Sequence, residues 1–383
     1  MRHLLDLSFE EIEAELASWG EPRYRAKQIM EWVFRHGATD FEVMTNLPPA
    51  LRARLAEAFS IAAPAVLAER HADDGATTKA LLDLGPNLNG TRDAVETVRM
   101  DYDPDEDGAP DRVTVCISTQ VGCAMACRFC ATGLQGFTRN LSASEIVTQV
   151  LHFSRPSLGE REDTSHAQPD LRASRGRITN IVFMGMGEPL ANYNGTIAAI
   201  RWLTQPEGLG LRQRGITVST VGLVRGIDRL SQEGLQIGLT ISLHAPDDTL
   251  RRDLIPTAGG TTIEQLVNAA RLYIERCGRR VTFAYALLDH VNDEPEQARA
   301  LARRIRGIQA HVNLIPYNPT AGPDLRRPSL ARVRAFQREL QAAGVNATVR
   351  IERGVEIAAA CGQLRTDVQR ERVAEAIPLT LQP

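Results

Sequence analysis

Apolar positions along this chain change their period twice, and each change marks a different kind of element. Behind Ser8-Phe9-Glu10-Glu11, whose serine and last glutamate are spaced as a capping box, Ile12 and Leu16 share one helical face and Gly20 ends the segment. The helical period returns over 23–35 with Ile29, Met30, Trp32, Val33 and Phe34. A third helix starts at Pro48-Pro49 and runs through Leu51, Leu55 and Phe59. The period then drops to two. Segments 78–84, 94–100 and 112–118 read as strands divided by acidic, Gly- and Pro-bearing turns, forming a small antiparallel sheet.

Beyond this point strand candidates alternate with amphipathic helices. The strands are 180–184, 215–219, 236–243, 280–287, 311–315 and 347–351; the helices are 142–153, 194–203, 222–233, 263–276, 294–306 and 329–343. Such alternation predicts an α/β fold in which a parallel sheet is wrapped by helices and closes fully or partly as a barrel. Chemistry in such barrels gathers at the C-terminal strand ends, and the loop after 112–118 lies at one of them. The polar, turn-rich stretch 156–177 reads as a surface insertion. The predicted organisation is a helical unit over 1–64, a β extension over 65–119, a barrel over 120–365 and a tail over 366–383.

Charge narrows the partners. The formal net charge of -3 argues against a protein that binds polyanions over its whole surface, yet leaves room for a local basic face. Of 44 basic residues only Lys27 and Lys79 are lysines and the other 42 are arginines, a residue suited to bidentate phosphate contacts but also favoured by a GC-rich genome. Arg23, Arg25, Lys27, Arg35, Arg52 and Arg54 on the first helices are either solvated faces or phosphate contacts. No apolar run is long enough to span a bilayer and no charged-then-apolar leader is present, so a cytoplasmic enzyme without a membrane partner is expected.

The six cysteines carry the chemistry. Cys123, Cys127 and Cys130 stand in Cys123-Ala124-Met125-Ala126-Cys127-Arg128-Phe129-Cys130. Three soft thiolates at this spacing can hold an iron-sulfur cube while leaving its fourth iron open to a substrate or cofactor. A structural zinc site would call for a fourth ligand and a second ligand pair, and sparse cysteines without a secretory leader argue against disulfides. Taken alone, Cys116 and Cys361 read as ordinary half-buried cysteines, as does Cys277 before Gly278. Gly185-Met186-Gly187-Glu188-Pro189 follows a strand but is a poor dinucleotide fingerprint, since the third glycine is missing and Glu-Pro stands where a helix should begin. Gly187 would allow close backbone approach and Glu188 would supply an anionic acceptor.

The three-cysteine pattern resembles the signature of the radical S-adenosylmethionine (SAM) superfamily. Further segments resemble the RlmN/Cfr family of RNA methyltransferases within it. They are Val95-Glu96-Thr97-Val98, Cys116 ahead of Gln120-Val121-Gly122-Cys123, Gly185-Met186-Gly187-Glu188-Pro189, Ser242-Leu243-His244-Ala245-Pro246, Asn313-Leu314-Ile315-Pro316-Tyr317-Asn318-Pro319 and Ala360-Cys361-Gly362-Gln363-Leu364.

The resemblance implies a partial TIM-like (β/α)6 barrel carrying a 4Fe-4S cluster on Cys123, Cys127 and Cys130, with a small N-terminal helical domain that binds RNA. It implies SAM contacts at Gly187, Glu188, Ser219, Ser242, Leu243, His244 and Asn318, and two SAM molecules per turnover. The reaction implied is methylation of adenine C2 at adenosine 2503 of 23S rRNA and at adenosine 37 of tRNA, with electrons from a flavodoxin-type donor; a monomer is the default expectation. In the family's chemistry Cys361 takes a methyl group, a 5'-deoxyadenosyl radical removes hydrogen from it, and the carbon radical adds to the base. Glu96 then accepts a proton and Cys116 attacks the Cys361 sulfur, releasing product and leaving a disulfide. Chain length and the N-terminal helices favour the C2-methylating branch over the C8-methylating one. Two other readings share the cysteine loop: another radical SAM enzyme, which would need neither Cys116 nor Cys361, and a non-catalytic RNA-binding iron-sulfur protein, which would release no 5'-deoxyadenosine from SAM and dithionite.

Overall fold

The computed structural model describes residues 1–73, 75–87, 89–102, 112–154, 177–319 and 325–350. A short parallel clasp between β1 (Arg2–His3) and β2 (Phe59–Ser60) closes the N-terminal unit around α1 (Phe9–Ser18), α2 (Tyr24–Phe34) and α3 (Pro49–Ala58). The capping box forms as the sequence predicts: the Ser8 hydroxyl accepts from Glu11 N, and the Glu11 carboxylate accepts from Ser8 N at 2.6 Å. This unit docks through α5 (Ala143–Ser154) and α6 (Tyr193–Thr204). Trp202 Nε1 donates to the carbonyls of Leu5 and Leu7, the Phe34 ring stacks on Trp202 at 5.5 Å, and Asp6 accepts from Ser144 N at 2.9 Å. The helices and the barrel therefore share one hydrophobic core.

The main sheet starts with β3 (Ala65–His71), β4 (Thr77–Pro86), β5 (Arg92–Tyr102) and β6 (Arg112–Cys116). A small hairpin of β7 (Gln120–Gly122) and β8 (Phe137–Asn140) follows, with α4 (Ala131–Leu134) between its strands. The rest alternates through β9 (Ile178–Phe183), β10 (Ile216–Thr220), α7 (Val224–Ser231), β11 (Gly238–Ser242), α8 (Asp248–Leu254), α9 (Ile263–Cys277), β12 (Val281–Leu287), α10 (Pro295–Arg304), β13 (Ala310–Pro316), α11 (Leu330–Ala342) and β14 (Ala347–Val349). Strand order in the ten-stranded sheet is β14-β13-β12-β11-β10-β9-β6-β5-β4-β3, so among the described residues the barrel is open. Strand β6 and strands β9 to β14 are parallel, giving six β/α units and a short last strand; β3 to β6 pair antiparallel.

Contrary to the expectation from the alternating period, the antiparallel strands form no separate small sheet. They continue the barrel sheet, because β6 pairs with β5 on one edge and with β9 on the other. The predicted insertion lies outside the described residues except for Arg177, and so do Ile351, the motif around Cys361 and the tail.

Strand alternation sorts the two faces. Val115, Ile181, Val218, Leu239, Phe283 and Leu314 are at most 1 % exposed, in the core beneath the helices. The other register presents Cys116, Val182, Ser219, Thr240, Ser242, Ala284 and Asn313, mostly small or polar, to the barrel interior. A closed protein core would not accept so many hydroxyls and amides, whereas a ligand-holding cleft needs them.

Candidate active site

The cysteine loop leaves β7 through a turn that demands glycine. At Gly122 φ is +77°, and a Cβ there would lie 2.0 Å from the Gly136 carbonyl oxygen, which accepts from Cys123 N at 2.7 Å. The other end of the loop is pinned by α8 and the turn after it: Arg128 N donates to the Leu254 carbonyl, and Thr257 Oγ1 donates to the Met125 carbonyl at 2.7 Å. Cys127 packs in an apolar bed of Leu254, Ile255, Ala258, Leu288 and Tyr317, with Cys130 at its margin.

This bed disfavours bare thiolates. Burial pushes the Cys123 thiol up to about 12 and Cys127 higher still, and the charges of the other cysteines and of Glu188 act in the same direction. Three thiols facing one cleft, unstable as free anions, suit a cationic iron-sulfur core. Among the described residues no three His, Cys, Asp or Glu side chains gather closely enough to hold a single metal ion.

The thiols line a cleft of about 230 Å³ at the C-terminal strand ends. Gly187, Glu188, Ser219, Ser242 and His244 line it too, so five of the seven predicted SAM contacts meet the three cysteines there. The other two do not line it: Leu243 is buried in the core, and Asn318 is half-buried beyond β13. Asn313, named above only as part of a motif and not as a contact, and Arg350, not singled out in the sequence, do line it. Asn313 was legible, since it stands at an inward position of a strand whose alternate residues are apolar.

Gly187 is required by packing. Its φ is +104°, and a Cβ would come within 2.6 Å of the Gln120 side chain, whose Oε1 accepts from Glu188 N at 2.8 Å. Glu188 spends both carboxylate oxygens on the main chain, accepting from Leu190 N at 3.0 Å and Val221 N at 2.8 Å, and so ties the ends of β9 and β10 together. Burial raises its carboxyl to about 7, with those bonds pulling the other way.

His244 stands in the left-handed region at φ +59°, and its ring meets Phe129 edge-on at 4.7 Å. Burial, helped by Arg251, lowers its pKa to about 3. A depressed histidine pKa means that only the unfolded chain takes up this proton between about 6.5 and 3, so the stability it confers is present above 6.5 and is lost as pH falls. Denaturant unfolding should therefore show the stability advantage of wild type over His244→Gln shrinking by about 2 kcal/mol between pH 7.5 and pH 5. A constant difference would contradict the neutral buried ring.

The predicted proton acceptor and resolving thiol share a neighbourhood beside this cleft. Glu96 forms a buried ion pair with Lys79, Oε2 to Nζ 2.8 Å. In the strand register Lys79 faces Val98 and Val98 faces Cys116, which places Lys79, Glu96 and Cys116 on one sheet face. Cys116 clusters with Val98 and Met100, Met184 packs against that cluster, and Met184 lines the cleft. Ser118 Oγ donates to the Glu96 carbonyl at 2.6 Å and accepts from Met186 N at 2.9 Å, joining β5 to the Gly185–Glu188 turn.

Lys79 was missed in the sequence, although a lone lysine in the apolar strand 78–84 of a chain with two lysines was a signal. Lys79→Met should cost about 3–5 kcal/mol by stranding a buried carboxylate, and Glu96→Gln in the same chain should restore much of it in thermal unfolding. Cys277, by contrast, is buried and donates to the Ser231 carbonyl at 3.7 Å, a structural role.

On the N-terminal helices, Arg25 pairs with Glu21, Arg35 with Glu31, Arg52 with Glu42 and Lys27 with Glu207, while Arg54 lies over the Trp19 ring. Such surface pairs are weak, so they leave phosphate contact open to these side chains.

Residues 2–61 match the family profile described as the ribosomal RNA large subunit methyltransferase N-terminal domain, and residues 117–302 match the radical SAM superfamily. Ribosomal RNA large subunit methyltransferase N of Nitrosopumilus maritimus is 48% identical over 370 residues, covering 96% of this chain and 99% of the relative. The chain belongs to the RlmN family of radical SAM RNA methyltransferases. A probable dual-specificity RNA methyltransferase RlmN of Chloroflexus aurantiacus is 46% identical over 98% of this chain and 96% of its own length. The crystal structure of a radical SAM methyltransferase from Sphaerobacter thermophilus superposes with a TM-score of 0.83 at 46% identity, over 95% of this chain and 99% of that one. Membership brings with it a 4Fe-4S cluster and SAM, the groups that the three thiols and the polar cleft fit. No helix among the described residues is long and apolar enough to cross a membrane.

Proposed function

We propose that this RlmN-family enzyme methylates C2 of adenine in 23S rRNA and in tRNA, acting as a cytoplasmic monomer and drawing its electron from a flavodoxin-type reductant. The single observation that carries the reading is near-full-length identity to RlmN proteins combined with three cysteine thiols that meet the polar cleft wall. Cys123, Cys127 and Cys130 would hold the cluster, and Gly187, Glu188, Ser219, Ser242 and His244 would surround SAM. Bound there, the two groups supply a radical able to take hydrogen from a methyl group.

The remaining work falls to the chain's own residues. Adenine C2 is electron-poor and does not attack a sulfonium methyl, so the methyl must first be parked on a protein nucleophile. Cys361, outside the described residues, is assigned that role, and a second SAM is consumed in activating the methyl. Glu96 accepts the proton lost from C2, and the Lys79 ammonium holds one of its carboxylate oxygens in place. The Cys116 thiolate then attacks the Cys361 sulfur, so that the sulfur–carbon bond to the base breaks as the sulfur–sulfur bond forms; the electron pair of the broken bond stays with the carbon, which takes up a proton and becomes the methyl group.

Mass mapping of the methyl group on modified RNA tests the position. Label on C2 of the adenosine is expected in both rRNA and tRNA, and label on C8 would assign the chain to the other branch.

A further inference from the structure

Within the cleft wall, His244 is held from behind by a group of hydrogen bonds whose donors and acceptors are all fixed by main-chain chemistry. Ala286 N donates to His244 Nδ1 at 2.8 Å. A peptide N–H can only donate, so Nδ1 is the unprotonated nitrogen and the neutral ring carries its hydrogen on Nε2.

The loop after β12 supplies the other half. Asn292 is fully buried, and its Oδ1 accepts from Leu288 N at 2.7 Å. That contact fixes the amide orientation, leaving Nδ2 to donate to the His244 carbonyl at 2.8 Å and to the Ala286 carbonyl at 2.6 Å. One amide therefore grips the residue that bears the imidazole and the residue that reads its Nδ1. The grip holds His244 in its left-handed backbone, a conformation that a non-glycine residue keeps only when its surroundings enforce it.

The loop is anchored in turn. Tyr285 Oη donates to the Asn292 carbonyl at 2.9 Å, His290 N donates to Asp293, and Asp293 takes two bonds from the Arg332 guanidinium of α11.

We propose that Asn292 is a positioning residue for the cofactor cleft: it fixes the His244 imidazole as a neutral ring that offers Nε2–H, and only a donor, to the bound SAM. The recognised group is accordingly an acceptor, such as a hydroxyl, carboxylate or ring-nitrogen lone pair. This rests on the reading of His244 as a SAM contact.

A double-mutant cycle on the dissociation constant of SAM, measured by equilibrium dialysis with cluster-loaded, unreduced enzyme, tests it. His244→Ala should raise Kd about tenfold, the worth of one buried hydrogen bond. Asn292→Asp keeps the shape but turns a carboxyl group toward two carbonyls, and should raise Kd about fivefold or more in the wild-type background. In the His244→Ala background it should add less than about twofold, because its effect passes through the ring.

Equal effects of Asn292→Asp in both backgrounds, or none in either, would overturn the inference while leaving His244 as a contact. An unchanged Kd in His244→Ala would overturn the cofactor reading of His244 and the inference with it. Should Asn292→Asp fail to fold, Asn292→Ser, whose hydroxyl can serve only one of the two carbonyls, completes the same cycle.

Discussion

Cys116→Ala is expected to accumulate protein covalently attached to RNA, whereas Cys361→Ala should accept no methyl group and form no adduct. The difference follows from the order of the two thiols. Without Cys361 the carbon has nowhere to be parked. Without Cys116 the methyl is parked and activated and the base is captured, but no thiolate attacks the Cys361 sulfur to release it. Cys116 stands on the inward face of β6, on the same sheet face as Glu96 and in a cluster against which a residue of the cleft wall packs, so its removal leaves the neighbouring carboxylate and its lysine in place. The adduct should approach one RNA per active enzyme and disappear on nuclease treatment of the mass-shifted protein. Two structural cysteines would instead give parallel, partial losses of stability, with no cross-linked species in either variant.

Replacing any one of Cys123, Cys127 or Cys130 by alanine is expected to abolish the brown chromophore and SAM cleavage together, with cleavage falling more than about a hundredfold. All three thiols open onto one cleft, and no fourth cysteine among the described residues lines it. Cys127 is the most demanding position, because the apolar bed of Leu254, Ile255 and Leu288 offers no replacement ligand. Absorbance of the reconstituted protein and release of 5'-deoxyadenosine with dithionite provide the check. Full cleavage by Cys127→Ala would remove the cluster from this loop.

Much of this was legible because the signals are local. The change from helical to alternating period marked the barrel, Ser8 and Glu11 marked the first helix, and the cysteine spacing marked the loop whose three thiols meet at the cleft. What was not legible depends on pairing across the fold. Strand β3 is an edge strand with all of its residues at least partly exposed, so it carries little alternation. Helix α8 is seven residues long and largely charged, shorter than the apolar period needed to announce it. The continuity of the antiparallel strands with the barrel rests on β6 meeting β9 across more than sixty positions, which no local pattern encodes.

The site shows the same division. Glu96 was nameable by resemblance, but its bond to Lys79 is a cross-strand fact. Gly187 was read as a close approach to a bound cofactor, and within the chain its near neighbour is Gln120. Asn292 had no signal at all, since an asparagine followed by Asp293 and Glu294 reads as an ordinary turn until its three side-chain hydrogen bonds are seen.

The central claim is that the transferred carbon passes through a cysteine and loses a hydrogen there. Turnover with SAM whose methyl group carries three deuteriums tests it most directly. Passage through Cys361 predicts a methylated adenosine that retains two of the three, with the third recovered in 5'-deoxyadenosine. An adenosine that retains all three would mean that the methyl group moved intact from SAM to the base, and would contradict the cysteine route.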